Sequence, residues 1–331
     1  MKRGITRFEH FLDKLQDLLL TASKQKNPAL WLYQNDARTS LFMLEGLSKL
    51  YAGIHNKNKF VKIENEFKLL EDTLGAIDYY DVFAREFAQR IDFPAPILAY
   101  LEAQAREKIQ SLNEILTQKH WLGDVNSNID QFKKKLAKVD WLDGKEEVKC
   151  IESFYRKAIA NIIKFASISS FHFQNVETEV HALRRKLRWL SIYPQALPGC
   201  IQLSKEKNTP AYIPKYLTPE ILSSPFNKMP DAGNNKHFLL LEEDHYFALS
   251  WMIDKLGTLK DAGLRVIAVK EALQQTSVIA EKEAFDKAYE VLGKEQATIQ
   301  QVLDNADQVC KTYFKEGNLD KLVIGISSIV K

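Results

Sequence analysis

The stretch Glu179-Val180-His181-Ala182-Leu183-Arg184-Arg185-Lys186-Leu187-Arg188-Trp189-Leu190 decides how this chain is read. A helix turns about 100° per residue, so Val180, Leu183, Leu187 and Leu190 share one arc of about 80°. That arc is a core face. His181, Arg184, Arg185 and Arg188 share a second arc of about 100°, with Lys186 outside both. Two faces of opposite character specify an amphipathic helix, expected over 174–192, in a protein that packs helix on helix. Stacked cations repel one another unless an anion lies between them. Arginine forks match phosphate oxygens, and a neighbouring histidine adds a donor that an anion can charge. Arg156, Lys157 and Lys164 on the preceding helix can add to this field, because Glu177 and Glu179 are the only acids between 156 and 188. The competing reading is a solvated basic face, the usual fate of a charge run.

Helical spacing of apolar residues continues outward in both directions, and only 13 glycines interrupt it. Helices are expected at about 5–23, 29–53, 58–75, 78–91, 95–118, 126–138, 146–168, 174–192, 236–257, 259–274, 276–292, 295–315 and 319–330. Pro94 and Pro96 mark one break. No strand alternation is found, and the β-branched ending LVIGISSIV is taken as the last helix. The expected fold class is therefore all-α.

One segment departs from this pattern. Seven of the ten prolines (194, 198, 210, 214, 219, 225 and 230) lie in a long excursion at about 193–235. That density cannot sustain an α-helix. Tyr193, Tyr212, Tyr216 and Phe226, with Lys205, Lys207, Lys215 and Lys228, suit a lid over an anion. An excursion packed on its own aromatics suits the same composition.

Bulk properties bound the function. A chain of 331 residues with 45% hydrophobic content can bury a sizeable core. The 46 basic and 43 acidic side chains leave a net charge of +3, so any cationic site must be local. Cys150, Cys200 and Cys310 are odd in number and lack C-x-x-C spacing, which suits a reducing compartment; a cytoplasmic protein is expected. The N-terminal MKRGITRFEHFLDKLQDLLL carries acids among its apolar residues and reads as an amphipathic helix, not a signal peptide. No run of about 18 apolar residues predicts a membrane span.

Shifting the sequence by 146 residues places Phe8 on Phe154, Arg38 on Arg184, Leu41 on Leu187 and Leu44 on Leu190. Leu74-Gly75 and Leu256-Gly257 end similar apolar runs, each followed by an acidic stretch. The chain thus reads as one domain, 1–331, made of an N-terminal half, 1–146, and a C-terminal half, 147–331. Two such bundles pack about a pseudo-two-fold axis with a cleft between them.

These motifs carry a resemblance. H-A-L-R-R-K-L-R-W-L from His181 and L-G-T-L-K-D from Leu256 resemble the signature of the CHAD family, a helical domain named for its histidines. Q-N-D-A-R-T-S-L-F-M-L from Gln34 and L-G-A-I-D-Y-Y-D-V from Leu74 resemble the same signature in the first half, and the likeness spans about residues 5–315. The resemblance implies two helical-bundle halves around a basic groove that binds inorganic polyphosphate without catalysis. By position, His181, Arg184 and Arg188 match the family's basic residues. The first half departs, with Asn35 at the histidine position, Thr39 opposite Arg185 and Phe42 opposite Arg188, so that Arg38 alone keeps its charge.

Other chemistry finds little support in the sequence. Glu242-Glu243-Asp244-His245 contains E-x-x-H, but a di-iron bundle needs a second copy. Glu177 and His181, four apart, suit a helical ion pair better than a metal. No Walker loop, G-x-S-x-G or HEXXH occurs. The expectation is a non-enzymatic module with no cofactor, no metal and no membrane partner. Its ligand is inorganic polyphosphate or another polyanion, with RNA ranked lower because Trp189 is the one aromatic interleaved with the arginines. The alternative is a helical scaffold that binds a protein partner, its anion site decayed.

Overall fold

The computed structural model describes residues 3–123, 127–168, 170–206 and 209–328. Its first six helices are α1 (Arg3–Ala22), α2 (Pro28–Gln34), α3 (Ala37–Ala52), α4 (Lys57–Ala88), α5 (Ala95–Gln118) and α6 (Asn128–Leu136). Then come α7 (Gly144–Ser167), α8 (Ala182–Ala196), α9 (Pro219–Ser223), α10 (Glu243–Thr276), α11 (Glu281–Leu292) and α12 (Ile299–Lys315). The molecule is mostly α, as the periodicity indicates, but not all-α. β1 (Ile201–Ser204), β2 (His237–Glu242) and β3 (Val323–Ser328) form a small sheet in the order β1-β2-β3.

The sheet corrects two expected helices. Helical spacing places His237–Glu242 at the start of the 236–257 helix, yet Leu239 pairs in parallel with Ile201 and antiparallel with Ile326. Val323–Ser328 is a strand, and Ile329 and Val330 of that expected helix lie outside the described residues. A short apolar run has no period that separates a buried strand from a helix; the partner strand decides.

Two expected breaks do not exist. Helices 58–75 and 78–91 are one, α4, and 259–274 continues from the preceding turns as α10. Gly75 and Gly257 lower helix propensity by about 1 kcal/mol each, too little to stop a helix packed on both sides. Conversely, the expected 29–53 helix is cut at Asn35-Asp36, where Asp36 takes a left-handed φ of 53°, a conformation that short polar side chains tolerate. The expected 126–138 helix begins at Asn128, behind a Ser127–Asp130 capping box, with Asn126 outside the described residues.

The stretch that leads into α8 starts with a π turn, Val176–His181, closed by the Val180 amide on the Asn175 carbonyl. α8 then runs past Pro194 to Ala196. Pro194 has no N–H for the Leu190 carbonyl, and the buried Tyr155 hydroxyl donates to that oxygen instead. Val180, Leu183, Leu187 and Leu190 are fully buried, each leucine stabilising the fold by roughly 1.5–3 kcal/mol. The main core is continuous from Phe8 to Val323, and a second cluster joins the distal part of α4 to α5, α10 and α11.

The proline-rich excursion is packed. Tyr216 stacks edge-on against Trp251 and Tyr313, and its hydroxyl donates to Glu316 at 2.6 Å. The Tyr212 hydroxyl donates to the Glu316 carbonyl at 2.8 Å, and Lys215 pairs with the Glu316 carboxylate. Lys205 lies 3.4 Å from Asp244. Lys207 lies outside the described residues.

Candidate functional site

α3, α4, the π turn with α8, and α10, together with Lys108 of α5, line a half-open cavity of about 680 Å³. His181, Arg184, Arg185, Arg188 and Arg38 all line it, together with Phe42 and Trp189. Arg156, Lys157 and Lys164 do not line it. α7 turns Tyr155, Ile159 and Ile162 into the core, which leaves those three cations on its exposed face. Arg156 is engaged there by Glu152 at 2.9 Å. α7 therefore adds none of these three cations to the cavity lining. No described residue of the excursion lines this cavity, so its described part forms no lid over it.

The cavity is not uniformly positive. Six cations (Arg38, Lys108, Arg184, Arg185, Arg188 and Lys260) face six carboxylates (Glu71, Asp72, Asp78, Glu177, Asp261 and Glu271). The pairing is uneven. Arg38 donates to Glu71 at 2.8 Å and to Asp78 at 3.1 Å. Arg185 lies 3.6 Å from Asp72, and Lys260 lies 2.5 Å from Asp261. His181 Nδ1 lies 3.0 Å from Glu177, and this hydrogen bond holds the Glu177 carboxyl below its usual range against the opposing effect of burial.

Arg184 and Arg188 are the exceptions. Arg184 has no carboxylate within ion-pair distance among the described residues; its Nε donates to the Ile253 carbonyl at 3.2 Å. Arg188 has no hydrogen bond or ion pair to any described residue; its guanidinium lies over Phe42, 4.2 Å from the ring centroid. Burial first, then the charges of Arg184 and Arg38, push Arg188 down to about 10, still a cation at neutral pH. Burial also lowers Arg184, partly offset by Asp261 and Asp254. Phe42, which the sequence shift sets opposite Arg188, lines the cavity beneath both Arg38 and Arg188.

Glycines set the arginines in place. A Cβ on Gly75 would stand 2.7 Å from Arg38 Nη2, and one on Gly257 would stand 3.1 Å from Arg184 Nε. The long helices α4 and α10 thus each offer a bare backbone patch to an arginine from α3 or α8. The sequence marked both Leu-Gly pairs but not this contact, which a helical wheel of one element cannot contain.

The opposite end of the cavity is aromatic and apolar, with Tyr79, Tyr80, Phe83, Leu264 and Ile267. The Tyr80 and Tyr100 hydroxyls donate to Glu271 Oε1 at 2.9 and 2.8 Å. Burial, reinforced by Glu271, raises Tyr79 and Tyr80 well above the usual phenol range.

A separate hollow of about 770 Å³ lies between α4 and α6, lined by Lys59, Lys62, Lys119 and Lys135 against a single carboxylate, Glu66. Glu66 accepts both bonds from Lys119 at 2.9 Å, so the other three lysines have no carboxylate partner among the described residues. Burial and the neighbours Lys138 and Lys135 lower Lys59. Spacing arguments missed this hollow because its lysines come from three helices.

Among the described residues, no cluster of three His, Cys, Asp or Glu is placed to hold a metal ion. Glu242 of the E-x-x-H spacing caps α10, its carboxylate accepting from the His245 amide at 2.7 Å, while His245 Nδ1 meets Asn318 Oδ1 at 3.0 Å. No described helix is long and apolar enough to cross a membrane. The chain matches no protein-family model. No curated protein matches it in sequence, and no solved structure matches it in fold.

Proposed function

We propose that this chain is a non-catalytic binding module for a phosphate-type polyanion, with inorganic polyphosphate as the first candidate, and that Arg184 and Arg188 are its anion contacts. The observation that carries the reading is two half-buried guanidiniums of like charge, both lacking a carboxylate partner among the described residues, in a cavity where each of their cationic neighbours has one within 4 Å. Like charges withdrawn from water are costly to hold together, and an anion between them removes that cost. The balanced lining suits a short stretch of phosphate chain better than a long positive groove. The matching places of Arg38 on Gly75 and Arg184 on Gly257 support reading α3–α4 and α8–α10 as two copies of one unit, as in the CHAD family. Three free cysteines suit a cytoplasmic setting.

The scaffold reading keeps one favouring observation, the equal numbers of cations and carboxylates around the cavity. Titration with polyphosphate at two salt concentrations separates the two. Binding through arginine should weaken steeply with salt. Arg184→Gln with Arg188→Gln should cost about 3 kcal/mol or more, over a hundredfold in affinity, while exposed Arg85→Gln should change little. Lys59, Lys62 and Lys135 changed together to Gln test whether the lysine hollow is responsible instead. Absence of salt-sensitive binding to the wild type leaves the scaffold reading. Equal competition by single-stranded RNA of matched charge removes the preference for polyphosphate.

A further inference from the structure

The cavity is polarised, and an inorganic chain would use only one end of it. At one end stand the unpaired guanidiniums of Arg184 and Arg188. At the other, further along α4 and α10 from Gly75 and Gly257, the lining is Tyr79, Tyr80 and Phe83, with Leu264 and Ile267 completing an apolar wall. Tyr79 meets Tyr80 at a centroid distance of 4.9 Å and Phe83 at 5.3 Å, both edge-to-face, so neither neighbour is stacked on the Tyr79 ring. Two polar atoms here are unused. Both tyrosine hydroxyls that reach Glu271 go to Oε1, leaving Oε2 without a hydrogen-bond donor among the described residues. The Tyr79 hydroxyl has no hydrogen-bond partner among them either. A volume of about 680 Å³ is ample for a small organic ligand.

We infer that the occupant of this cavity is a nucleotide, with its phosphates between Arg184 and Arg188 and an amino-bearing base against Tyr79, its amino group donating to Glu271 Oε2. This rests on the anion reading above, and within that polyanion class it puts an organic phosphate in place of inorganic polyphosphate. A flat ring against an aromatic wall recovers the stacking that inorganic phosphate cannot make. An exocyclic amine fills the carboxylate's free lone pairs, which a keto group at the same position would repel. The remaining carboxylates do not oppose the phosphates strongly, because Glu71, Asp72, Asp78 and Asp261 are each held by a cation.

The test compares ATP, ITP and inorganic tripolyphosphate on the full chain by calorimetry at neutral pH, without divalent cations, so that no metal masks the phosphates; tripolyphosphate, with one more ionisable oxygen, is at no disadvantage in charge. ATP should bind at least about tenfold more tightly than tripolyphosphate, from stacking of one base, and more tightly than ITP. Tyr79→Leu, which keeps apolar bulk but removes the flat ring, should bring ATP down to the tripolyphosphate level and leave tripolyphosphate unchanged. Glu271→Gln should narrow the gap between ATP and ITP. Equal affinity for all three ligands overturns the nucleotide inference and leaves anion binding standing. Preference for ATP that both variants retain also overturns it, because the base then lies elsewhere. If none of the three binds, the anion reading falls with it. The comparison of ligands on the wild-type chain needs no variant and stands even if Tyr79→Leu fails to fold.

Discussion

Arg184 owes its position to the absence of a side chain on Gly257. A methyl group there would come 3.1 Å from Nε and 3.4 Å from Nη2, a contact that the guanidinium can relieve only by moving. Its bond to the Ile253 carbonyl would then lengthen or break. Alanine in mid-helix is worth about 0.5–1 kcal/mol over glycine, which offsets the crowding. Gly257→Ala should therefore change stability by no more than about 1 kcal/mol in either direction while weakening anion binding several-fold. Thermal melts and a polyphosphate titration on the same preparation check the two halves of this statement. A variant that binds as well as wild type would show that Arg184 does not touch the anion. The arginine stripe itself was legible, because four residues of one helix share a face at fixed angles. Which of its members lack a carboxylate was not legible, since Asp72 and Glu71 belong to a helix more than 100 residues earlier in the chain.

At the scale of elements, α8 persists through Pro194, where the sequence suggested an end at 192. The helix loses the Leu190 carbonyl's usual donor, and the α7 residue Tyr155 replaces it. A buried carbonyl deprived of that donor costs about 1–3 kcal/mol, so Tyr155→Phe should lower unfolding free energy by that amount with the aromatic ring still in place. Denaturant unfolding measures it, and an unchanged midpoint would mean that water reaches the carbonyl. The misread strands belong to the same scale. His237–Glu242 is apolar enough for a core helix, and Leu239 and Leu241 are indeed fully buried. Strand β1 and strand β3, about 40 and 85 residues away in sequence, supply the partners that make it a strand.

At the scale of the molecule, the two halves do not part cleanly. The buried Arg7 of α1 donates to Glu147 at 2.8 Å and to the Tyr51 hydroxyl at 2.7 Å, and Tyr51 donates to the same carboxylate at 2.6 Å. α3 rests on α8, with Gly46 against Trp189 and Ile192, and Gly53 meets Phe154. A fragment of residues 1–146 would retain Arg7 without its carboxylate, a loss that costs about 3–5 kcal/mol for a buried pair, and would uncover the apolar face of α3. Such a fragment should give a helical circular dichroism spectrum without a cooperative melt, whereas the full chain should melt cooperatively. A sharp transition in the fragment would make the halves independent domains.

By itself the sequence determined the mostly helical class, the amphipathic face of α8, the break at Pro94–Pro96 and the cationic side chains available to a site. Those features depend on spacing within one element, and helical geometry converts spacing into a face without help from the rest of the chain. Only the tertiary structure decided that α4 and α10 run unbroken, that a three-stranded sheet exists, and that carboxylates neutralise Arg38 and Arg185 while sparing Arg184 and Arg188. Each of these depends on what a second element brings to within about 3–4 Å, the range over which a hydrogen bond or ion pair acts in a packed interior. Residues such as Asp78 and Glu271 thus acquired their part in the cavity from packing, not from their neighbours in the chain.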